Sequence, residues 1–492
     1  MANRIAICIL LLFSIPSLAQ ESNSIQYEHL LTEMNDRSLP LVNITTDVDS
    51  LSGEFYQGYI EFSQYNQADE SVEKQKFPCD LRYRGGTARD YDKKSFAIKL
   101  RHENGDDWDA DLFGIRKTNS WILDAMSIDR IRMRNRVCFD LWNELNTTPY
   151  STDFDGRNGT KGQFVEVFIN GNYNGLYCLT DKINRKLLNL KSAKVESDGT
   201  HTIRGVMYKG NRWQDVEGEA TDIFLLSYKE DKTDSRYWNA WELQYPEDYP
   251  ARETWQPLMD LIDFCSEGTS TEVFNREWST YFDAENLSDY MVFTLALNVG
   301  DNAYKNTFLS TRDVTVDHQF ILTPWDMDMS LGGLYEGSYY DVCADIHRYD
   351  WIAPFNRLFV SNVDGFYDLV KSKWETQRDK LFSKNHVFGV LDNYSKMFVE
   401  SGAWERECTR WSGNPVPLKN DINDEMDYVK NWYVKNCDSL NYQFVNTGIN
   451  KTTYHENLDN AYTIDGRRFS VGDLEKLPKG IYIINRKKVI VR

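Results

Sequence analysis

The chain of 492 residues is too long for one ordinary compact core, so its length predicts two or three folding units. A hydrophobic fraction of 41% and an aromatic fraction of 14% supply enough apolar material for those cores, which excludes a mainly disordered protein. The formal net charge of −19 repels nucleic-acid phosphates and anionic lipids, so binding to nucleic acid is not expected and any bound phosphate needs a local cationic pocket or a metal.

The pattern of the first 19 residues is typical of a secretory signal peptide. A positive charge at Arg4 is followed by an apolar run from Ile5 to Ile15 and by the small-residue site at 17–19. This run is shorter than the roughly 20 apolar residues of a transmembrane helix, and no later stretch approaches that length. We therefore expect an exported chain, secreted or at the cell surface, without a transmembrane segment.

β-type patterns dominate the next part of the chain. Residues 20–75 are predicted to form an N-terminal β extension, and residues 76–185 a strand-rich region with one amphipathic helix within 128–145. Two β-type runs, QFVEVFIN and YNGLYCLT, follow that helix and are separated by a turn at Gly171 and Asn172. The predicted order is strands, one helix and two further strands.

Helical patterns replace the β pattern in residues 186–445. Helices are predicted within 257–265, 287–297 and 356–382, interrupted by one β-hairpin, NTFLSTRDVTVDHQFILTPWD. Residues 186–280 carry no recognisable motif and are interpreted as an insertion. The predicted fold class is α+β, with a β-rich first lobe, a helical second lobe and a ligand cleft between them.

The last segment, residues 446–492, contains short β-type runs such as IYII and VIV, with turns between them and a basic end. The blocks DGRRF and LPKGIYII resemble the C-terminal sorting domain of the Bacteroidetes type IX secretion system. This resemblance implies a small β domain that is read by that secretion machinery. The simpler alternative is a hairpin that closes the main domain.

The cysteines and histidines argue against several functions. Seven cysteines follow the predicted signal peptide, without a CxxC pair or tight Cys/His spacing, which disfavours a structural zinc site. We expect mainly buried thiols, although one or two disulfides are permitted in an exported protein. The chain has no HExxH or GxSxG motif, which argues against a zinc protease or an α/β-hydrolase.

Oxygen-donor side chains are concentrated around the predicted hairpin. Asp301 lies five residues before Asn306, and the strand pair returns to Asp326 and Asp328. Because a hairpin brings its ends together, we expect these four side chains to converge. Carboxylate and amide oxygens suit Mg²⁺ or Mn²⁺, which keep several waters and bridge substrate phosphates.

The same order of residues occurs in protein kinases, where one Asp receives the acceptor's proton and an Asn and a second Asp hold metal ions. The segment YRGGTARDYDKKSFAIKL supplies complementary groups, with Arg84 and Gly85 in a predicted turn and Lys99 at the end of a strand. Gly-Gly turns, D-x-D pairs and strand lysines usually have structural or solvent-facing roles, so each signal is weak alone. The common order along the chain carries the prediction.

The chain resembles the spore coat protein H, or CotH, family of atypical secreted protein kinases. The blocks that carry the resemblance are YRGG with KKSFAIKL, QFVEVFINGNYNGLYCLTDKI, FDAENLSDYMVFTLALNVGDNAYKNTFLS and FILTPWDMDMSLGG. The resemblance implies an atypical kinase fold, with an N-lobe at 76–185 and a C-lobe at 186–445. It also implies ATP and Mg²⁺ or Mn²⁺ as cofactors. At the matching positions, Asp301 would be the catalytic base.

Further roles are implied only by this resemblance. Asn306 would hold metal together with one or both of Asp326 and Asp328. Lys94 or Lys99 would face the nucleotide phosphates, near the Gly85 turn.

The resemblance also places an adenine-binding hinge at residues 179–181. By analogy with kinases, a glutamate should pair with the phosphate-binding lysine. Glu144 and Glu166 are both candidates for that glutamate.

The function predicted from the sequence is the transfer of the γ-phosphate of ATP to Ser or Thr of a protein acceptor. One alternative is a catalytically inactive adhesin or scaffold with the kinase fold, favoured by the scarcity of ATP outside the cytoplasm and by an unusual GGTA loop. A second alternative keeps the fold but transfers AMP. The sequence does not choose among them.

Overall fold

The computed structural model divides the chain into two compact units, Met1–Leu440 and Asn441–Arg492. The predicted signal peptide, residues 1–19, lies outside the described residues. The structure describes residues 25–150, 157–211, 233–238, 240–266, 268–303, 305–350, 352–446, 460–463, 468–470, 480–484 and 487–491.

The described elements confirm a mixed α+β fold, with most strands in the first half of the chain and most helices in the second half. The strands are β1 (Leu41–Thr45), β2 (Tyr56–Asn66), β3 (Ser71–Arg84), β4 (Ser95–Leu100), β5 (Ala110–Asp111), β6 (Lys117–Thr118), β7 (Ser120–Asp124), β8 (Gly162–Ile169), β9 (Asn172–Asp181), β10 (Lys194–Val195), β11 (His201–Thr202), β12 (Val206–Gly210), β13 (Tyr237–Trp238), β14 (Trp241–Tyr245), β15 (Thr307–Thr311), β16 (Ile321–Pro324), β17 (Asn460–Thr463), β18 (Arg468–Ser470), β19 (Gly480–Ile484) and β20 (Lys487–Val491). The helices are α1 (Tyr27–Thr32), α2 (Arg134–Leu145), α3 (Arg252–Cys265), α4 (Thr271–Tyr281), α5 (Ala284–Ala296), α6 (Phe355–Leu358), α7 (Phe366–Gln377), α8 (Lys384–Glu400), α9 (Ala403–Arg410) and α10 (Asn423–Asn446).

Seven strands close into a barrel in the order β1, β2, β3, β4, β7, β9 and β8. Neighbouring strands are antiparallel except at the closure, where β1 runs parallel to β8 and Leu41 pairs with Glu166. Closure leaves no strand of this sheet with an unpaired edge, which protects it from edge-to-edge association.

Alternation along β4 separates the barrel core from the outer face of the barrel. Phe96, Ile98 and Leu100 belong to the buried core that fills the barrel. Because successive side chains of a strand point to opposite faces, Ala97 and Lys99 lie on the outer face. β3 places further cationic residues on that face, since it pairs with β4 in antiparallel register.

The helix predicted within residues 128–145 begins later, at Arg134. Asp129 accepts hydrogen bonds from the backbone N–H groups of Met133 and Arg134, each at 2.7 Å. Arg132, just before the helix, has a φ of +57°, which an α-helix does not accommodate. The preceding residues therefore form a turn whose carboxylate satisfies the first free N–H groups of α2.

The predicted hairpin is confirmed as β15 and β16, which pair from Thr307 with Pro324 to Ser310 with Ile321. It belongs to a five-stranded antiparallel sheet in the order β13, β14, β12, β15 and β16. The sequence did not predict the strand that joins this hairpin, β12, because residues 186–280 carry no motif.

The helix predicted within 356–382 is divided into α6 and α7. The residues between them include Asn362, Asp364 and Gly365, with φ values of +47°, +50° and +77°. Left-handed backbone at these positions ends one helix before the next begins.

The second unit contains a four-stranded antiparallel sheet in the order β18, β17, β19 and β20. The IYII and VIV runs lie in β19 and β20, which pair directly with each other. Across the described ranges, none of the helices combines the length and the apolar character required to cross a bilayer.

Candidate functional site

Asp301 and Asn306 lie in the loop between α5 and β15 and contact each other. The side-chain amide of Asn306 donates to Asp301 Oδ2 at 3.3 Å, and Lys305 Nζ lies 2.9 Å from the same oxygen. Asn306 has a φ of +54°, and its backbone N–H donates to the carbonyl of Gly210 at 2.9 Å. Its carbonyl accepts from the Trp325 N–H at 2.8 Å, so the loop is held against both β12 and the segment after β16.

Asp326 and Asp328 follow β16 and form an acidic cluster with Asp124 and Asp301. Desolvation raises the pKa of Asp328 well above its usual range, and the carboxylates of Asp326, Asp124 and Asp301 raise it further. Desolvation also raises the pKa of Asp326. Asp326 is nevertheless exposed and Asp328 half-buried, so ions in solution can reach both side chains. The convergence expected from the hairpin is therefore found.

The other two nearby aspartates have structural partners. Asp124, at the end of β7, accepts a hydrogen bond from the side-chain amide of Asn135 at 2.9 Å, and Asn135 Oδ1 accepts from the Met327 N–H at 3.1 Å. Asp129 holds the start of α2. In contrast, neither Asp326 nor Asp328 has a hydrogen-bond donor or an ion-pair partner in the part of the chain that the structure describes.

This donor set fits Mg²⁺ or Mn²⁺ only when a substrate supplies further ligands. Among the described residues, no group of three or more His, Cys, Asp or Glu side chains is placed to hold a metal ion. Mg²⁺ is commonly held by one or two carboxylates together with waters and substrate phosphates, and not by a cage made of protein alone. Asp326, Asp328 and the Asn306 amide oxygen match that partial set.

Four cationic side chains extend from this acidic cluster: Arg84, Lys209, Lys182 and Lys99. No described carboxylate lies within ion-pair distance of any of them. Desolvation lowers the pKa of Lys209, an effect that Asp326 opposes and Arg84 reinforces. Desolvation also lowers the pKa of Lys182; the charge of Glu247 opposes this effect, and those of Arg236, Arg84 and Lys99 reinforce it. Arg84 and Lys209 therefore lie near Asp326, and Lys182 and Lys99 continue the positive charge beyond Arg84.

Two of these cations were missed by the sequence analysis. Lys182 directly follows β9 within the block NYNGLYCLTDKI, so its motif was recognised but its role was not. Lys209 lies in β12, which pairs with β14 on one side and β15 on the other. That pairing brings Lys209 to the site, and no local sequence pattern could have indicated it.

The predicted glycine turn leads from Arg84 into a short 3₁₀ turn at Thr87–Arg89. Gly85 has a φ of +105°, and a Cβ at this position would lie 2.7 Å from the Ala88 side chain, so only glycine fits. Lys94 Nζ donates to the carbonyl of Arg89 at 2.6 Å and so holds the end of this loop. The guanidinium of Arg84 lies 5.6 Å from the ring centre of Trp325, just before Asp326.

The structure gives other partners to both glutamates considered for a lysine pair. Glu166 is bound by Arg406 through two contacts of 2.8 and 2.7 Å, and Glu144 lies 3.1 Å from His386. The predicted pairing with Lys94 or Lys99 is therefore wrong. The analogy was misleading because it fixed neither the element nor the spacing of the glutamate, so Glu144 in α2 and Glu166 in β8 both satisfied it.

The expected hinge residue Asp181 is also engaged. It is fully buried, and its Oδ2 lies 2.9 Å from Arg157 and 3.0 Å from Arg116. Its Oδ1 accepts the backbone N–H of Lys161 at 2.9 Å. With these three partners the Asp181 carboxylate holds neighbouring segments together, and it is not available to a nucleobase.

The protein thus has a mixed α+β fold and a site in which cations and carboxylates without ion-pair partners lie near each other. The model of a family described as CotH kinase protein matches residues 81–440, which is most of the chain and includes the whole of the site. The chain belongs to the CotH kinase family. The comparison with curated proteins gave no match.

Proposed function

We propose that the protein is a metal-dependent protein kinase that transfers the γ-phosphate of ATP to a Ser or Thr hydroxyl of a protein acceptor. One observation carries the proposal: in the described part of a chain with net charge −19, four cations without an ion-pair partner extend from two carboxylates that also have none. Unpaired cations attract a polyanion, and unpaired carboxylates attract a divalent cation. A nucleoside triphosphate with its metal satisfies both. Membership of the CotH kinase family supports this choice of ligand.

The metal would be held by Asp326 and Asp328, with Asn306 contributing its amide oxygen. A bound Mg²⁺ or Mn²⁺ supplies charge neutralisation at the transferring phosphoryl group. Arg84 and Lys209, whose charges oppose the rise in the pKa of Asp326, bind the phosphate oxygens nearest to the metal. Lys182 and Lys99 extend the cationic surface along the outer face of the barrel.

Asp301 is the proposed general base. Lys305 and Asn306 both contact its Oδ2, which leaves Oδ1 without a donor among the described residues. Oδ1 accepts the proton of the acceptor hydroxyl while the hydroxyl oxygen forms a bond to the γ-phosphorus. The bond from the γ-phosphorus to the β,γ-bridging oxygen breaks, and ADP leaves with that oxygen.

In this proposal the barrel and the helical part of the first unit correspond to the N-lobe and C-lobe of a kinase. We also propose export, with the second unit acting as a type IX sorting domain. The support is the signal-like sequence at residues 1–19 and the basic β-type segment at the end of the chain. N-terminal sequencing of protein recovered outside the producing cell should begin at Gln20, whereas an intact Met1 would contradict export by this route.

The test is incubation of the chain with Mn²⁺ and ATP labelled at either the γ- or the α-phosphate. We expect label from γ-ATP on the protein itself or on an added acceptor, and its loss in Asp326→Ala. Asp301→Asn should abolish transfer while retaining nucleotide binding measured by calorimetry. Asp317→Asn, in the exposed turn between β15 and β16, is the matched control and should leave labelling unchanged.

The outcomes separate the alternatives. Transfer of label from α-ATP would show that AMP is moved, and the phosphotransfer proposal would be wrong. Binding of ATP with metal but no transfer from either label would favour an inactive scaffold. Normal labelling in Asp301→Asn would remove Asp301 from the role of base.

A further inference from the structure

Phe55 presents an exposed aromatic ring beside the proposed phosphate-binding cations. The side chain is 39% exposed, although large aromatic residues are usually buried. Lys99 Nζ and the guanidinium carbon of Arg82 each lie 4.8 Å from the ring centre. The ring therefore borders the outer face of the barrel at the Lys99 end of the site.

The loop that carries Phe55 is anchored on both sides. Leu51 is only 8% exposed and belongs to the core of the barrel. The carbonyl of Ser52 accepts the Tyr83 N–H at 2.7 Å, and the carbonyl of Gly53 accepts from Arg82 at 3.0 Å. The ring is thus held in place before any ligand arrives, which limits the entropy lost on binding.

The cations along β4 indicate the direction in which a bound triphosphate would extend. Ser95, at the start of β4, is paired with Arg84, whose guanidinium lies 5.6 Å from the ring centre of Trp325, the residue before Asp326. Lys99 lies four residues further along the strand, roughly 13 Å away at the usual rise per residue. A triphosphate whose terminal phosphate meets Asp326 would therefore extend toward Lys99 and bring its nucleoside toward Phe55.

We propose that Phe55 is the residue on which the nucleobase stacks. This inference rests on the proposed function, because it takes the terminal phosphate to lie at Asp326 and Asp328. Asp181, in the segment where the adenine hinge was expected, is bound by Arg116 and Arg157, so its carboxylate does not compete with Phe55 for the base. An aromatic ring stacks on any base, so binding through Phe55 would select nucleotides over other polyphosphates without strong preference among bases.

The experiment compares ATP with inorganic tripolyphosphate, which carries the phosphates but no base. Binding of each in the presence of Mn²⁺ is measured by calorimetry for the full chain and for Phe55→Leu. We expect roughly tenfold weaker ATP binding in the variant, as for loss of one base-stacking contact, with tripolyphosphate binding unchanged. Phe55→Trp should restore ATP binding.

Tyr59→Leu is the matched control. Tyr59 is 41% exposed on β2 and has Lys76 Nζ at 5.2 Å from its ring centre, so it reproduces the aromatic–cation arrangement away from Lys99. This variant should bind both ligands normally.

Each contrary result overturns the inference in its own way. Equal weakening of both ligands in Phe55→Leu would show that Phe55 only positions Lys99. Unchanged ATP binding in that variant would show that the base lies elsewhere. If the unaltered chain binds neither ATP nor tripolyphosphate, the proposed function fails and this inference fails with it.

Discussion

Lys93 Nζ lies 2.6 Å from Glu407 Oε1, and neither side chain has any exposure to solvent. Arg132 Nε lies 2.8 Å from the same oxygen, while Glu407 Oε2 accepts the Leu176 N–H at 2.8 Å. One buried carboxylate in α9 thus holds the segment before β4, the turn before α2 and strand β9. Lys93, which this glutamate binds, is therefore a structural residue, and it is not one of the lysines at the candidate site.

Removing the charge of Glu407 should destabilise the protein more than removing that of Lys93. Glu407→Gln leaves two buried cations without a counter-charge, which typically costs roughly 3–5 kcal/mol. Lys93→Met leaves Glu407 still paired with Arg132, so we expect a smaller loss. Urea unfolding followed by tryptophan fluorescence measures both.

The exposed pair of Lys396 and Glu400, separated by 3.8 Å on α8, provides the control. Replacing either residue should change the free energy of unfolding by less than about 1 kcal/mol. Equal losses for Glu407→Gln and Lys93→Met would contradict the assignment of Glu407 as the shared counter-charge.

Local sequence patterns predicted elements well, because alternation and helical periodicity depend on neighbouring residues. The runs QFVEVFIN and YNGLYCLT are confirmed as β8 and β9, and the hairpin before Asp326 is confirmed as β15 and β16. The closed barrel was not predicted, since it depends on the pairing of β1 with β8, which are distant in the chain. Such long-range pairing leaves no local signature.

The part of the candidate site that was predicted from the sequence is the part formed by a single hairpin. Asp301, Asn306 and Asp326 meet because one hairpin connects them. Lys209 was missed because its position depends on β12 joining β15. The segment KKSFAIKL contains three lysines, of which Lys93 is buried and Lys94 and Lys99 are partly accessible. The sequence could not distinguish them, because Lys93 is buried through its contact with Glu407, which is distant in the chain.

Replacement of Asn286 should weaken the packing that supports the acidic cluster. Asn286, in α5, accepts the Leu322 N–H at 2.7 Å and donates to the Leu322 carbonyl at 3.1 Å and to Asn146 at 3.2 Å. Leu322 lies in β16, shortly before Asp326. Asn286→Leu leaves buried polar groups unsatisfied, so we expect a loss of about 2–4 kcal/mol in the free energy of unfolding.

Denaturant unfolding of Asn286→Leu can be compared with that of Asn104→Ala, which alters an exposed turn asparagine. The control should lose no more than about 0.5 kcal/mol. A loss of that size in Asn286→Leu as well would show that the amide network contributes little.

The thiols provide a test of the packed core. The seven described cysteines are reduced thiols, and each is buried except Cys343, which is half-buried. Burial raises the pKa of Cys79 and Cys138 to about 12, which further lowers their reactivity. In a chain lacking residues 1–19, a thiol reagent should modify one cysteine rapidly and the remainder only after denaturation. Cys343→Ser should abolish the rapid phase, and rapid modification of several thiols in that variant would contradict the packing.

Asp328→Asn should stabilise the metal-free protein while abolishing transfer. Because desolvation and neighbouring carboxylates raise the pKa of Asp328 in the folded chain, its ionised form destabilises that state. The penalty is absent when the group is protonated at acidic pH and grows as pH rises through the raised pKa. We expect a gain of about 0.5–2 kcal/mol at neutral pH in the presence of a chelator, shrinking on acidification.

Thermal unfolding from acidic to neutral pH measures this difference, with Asp317→Asn as the control for loss of an exposed carboxylate. Addition of Mn²⁺ should stabilise the unaltered protein more than Asp328→Asn, since only the former retains both proposed metal-binding carboxylates. Lower stability of Asp328→Asn at neutral pH would show that Asp328 has a stabilising partner.

Lys209→Met should weaken the binding of tripolyphosphate with Mn²⁺ by roughly tenfold or more, because a charge-assisted contact to phosphate is lost. Lys209→Arg should retain much of the affinity, since the positive charge remains. Lys161→Met removes an exposed lysine at the edge of β8 and should have little effect. Calorimetric titration at two salt concentrations separates a specific contact from general electrostatic attraction, which high salt screens. If Lys209 contacts the phosphate, Lys209→Met should still bind more weakly than Lys161→Met at high salt. Loss of that difference at high salt would mean that Lys209 contributes only to the surrounding potential, and the phosphate would then have to be placed nearer Arg84 and Lys182.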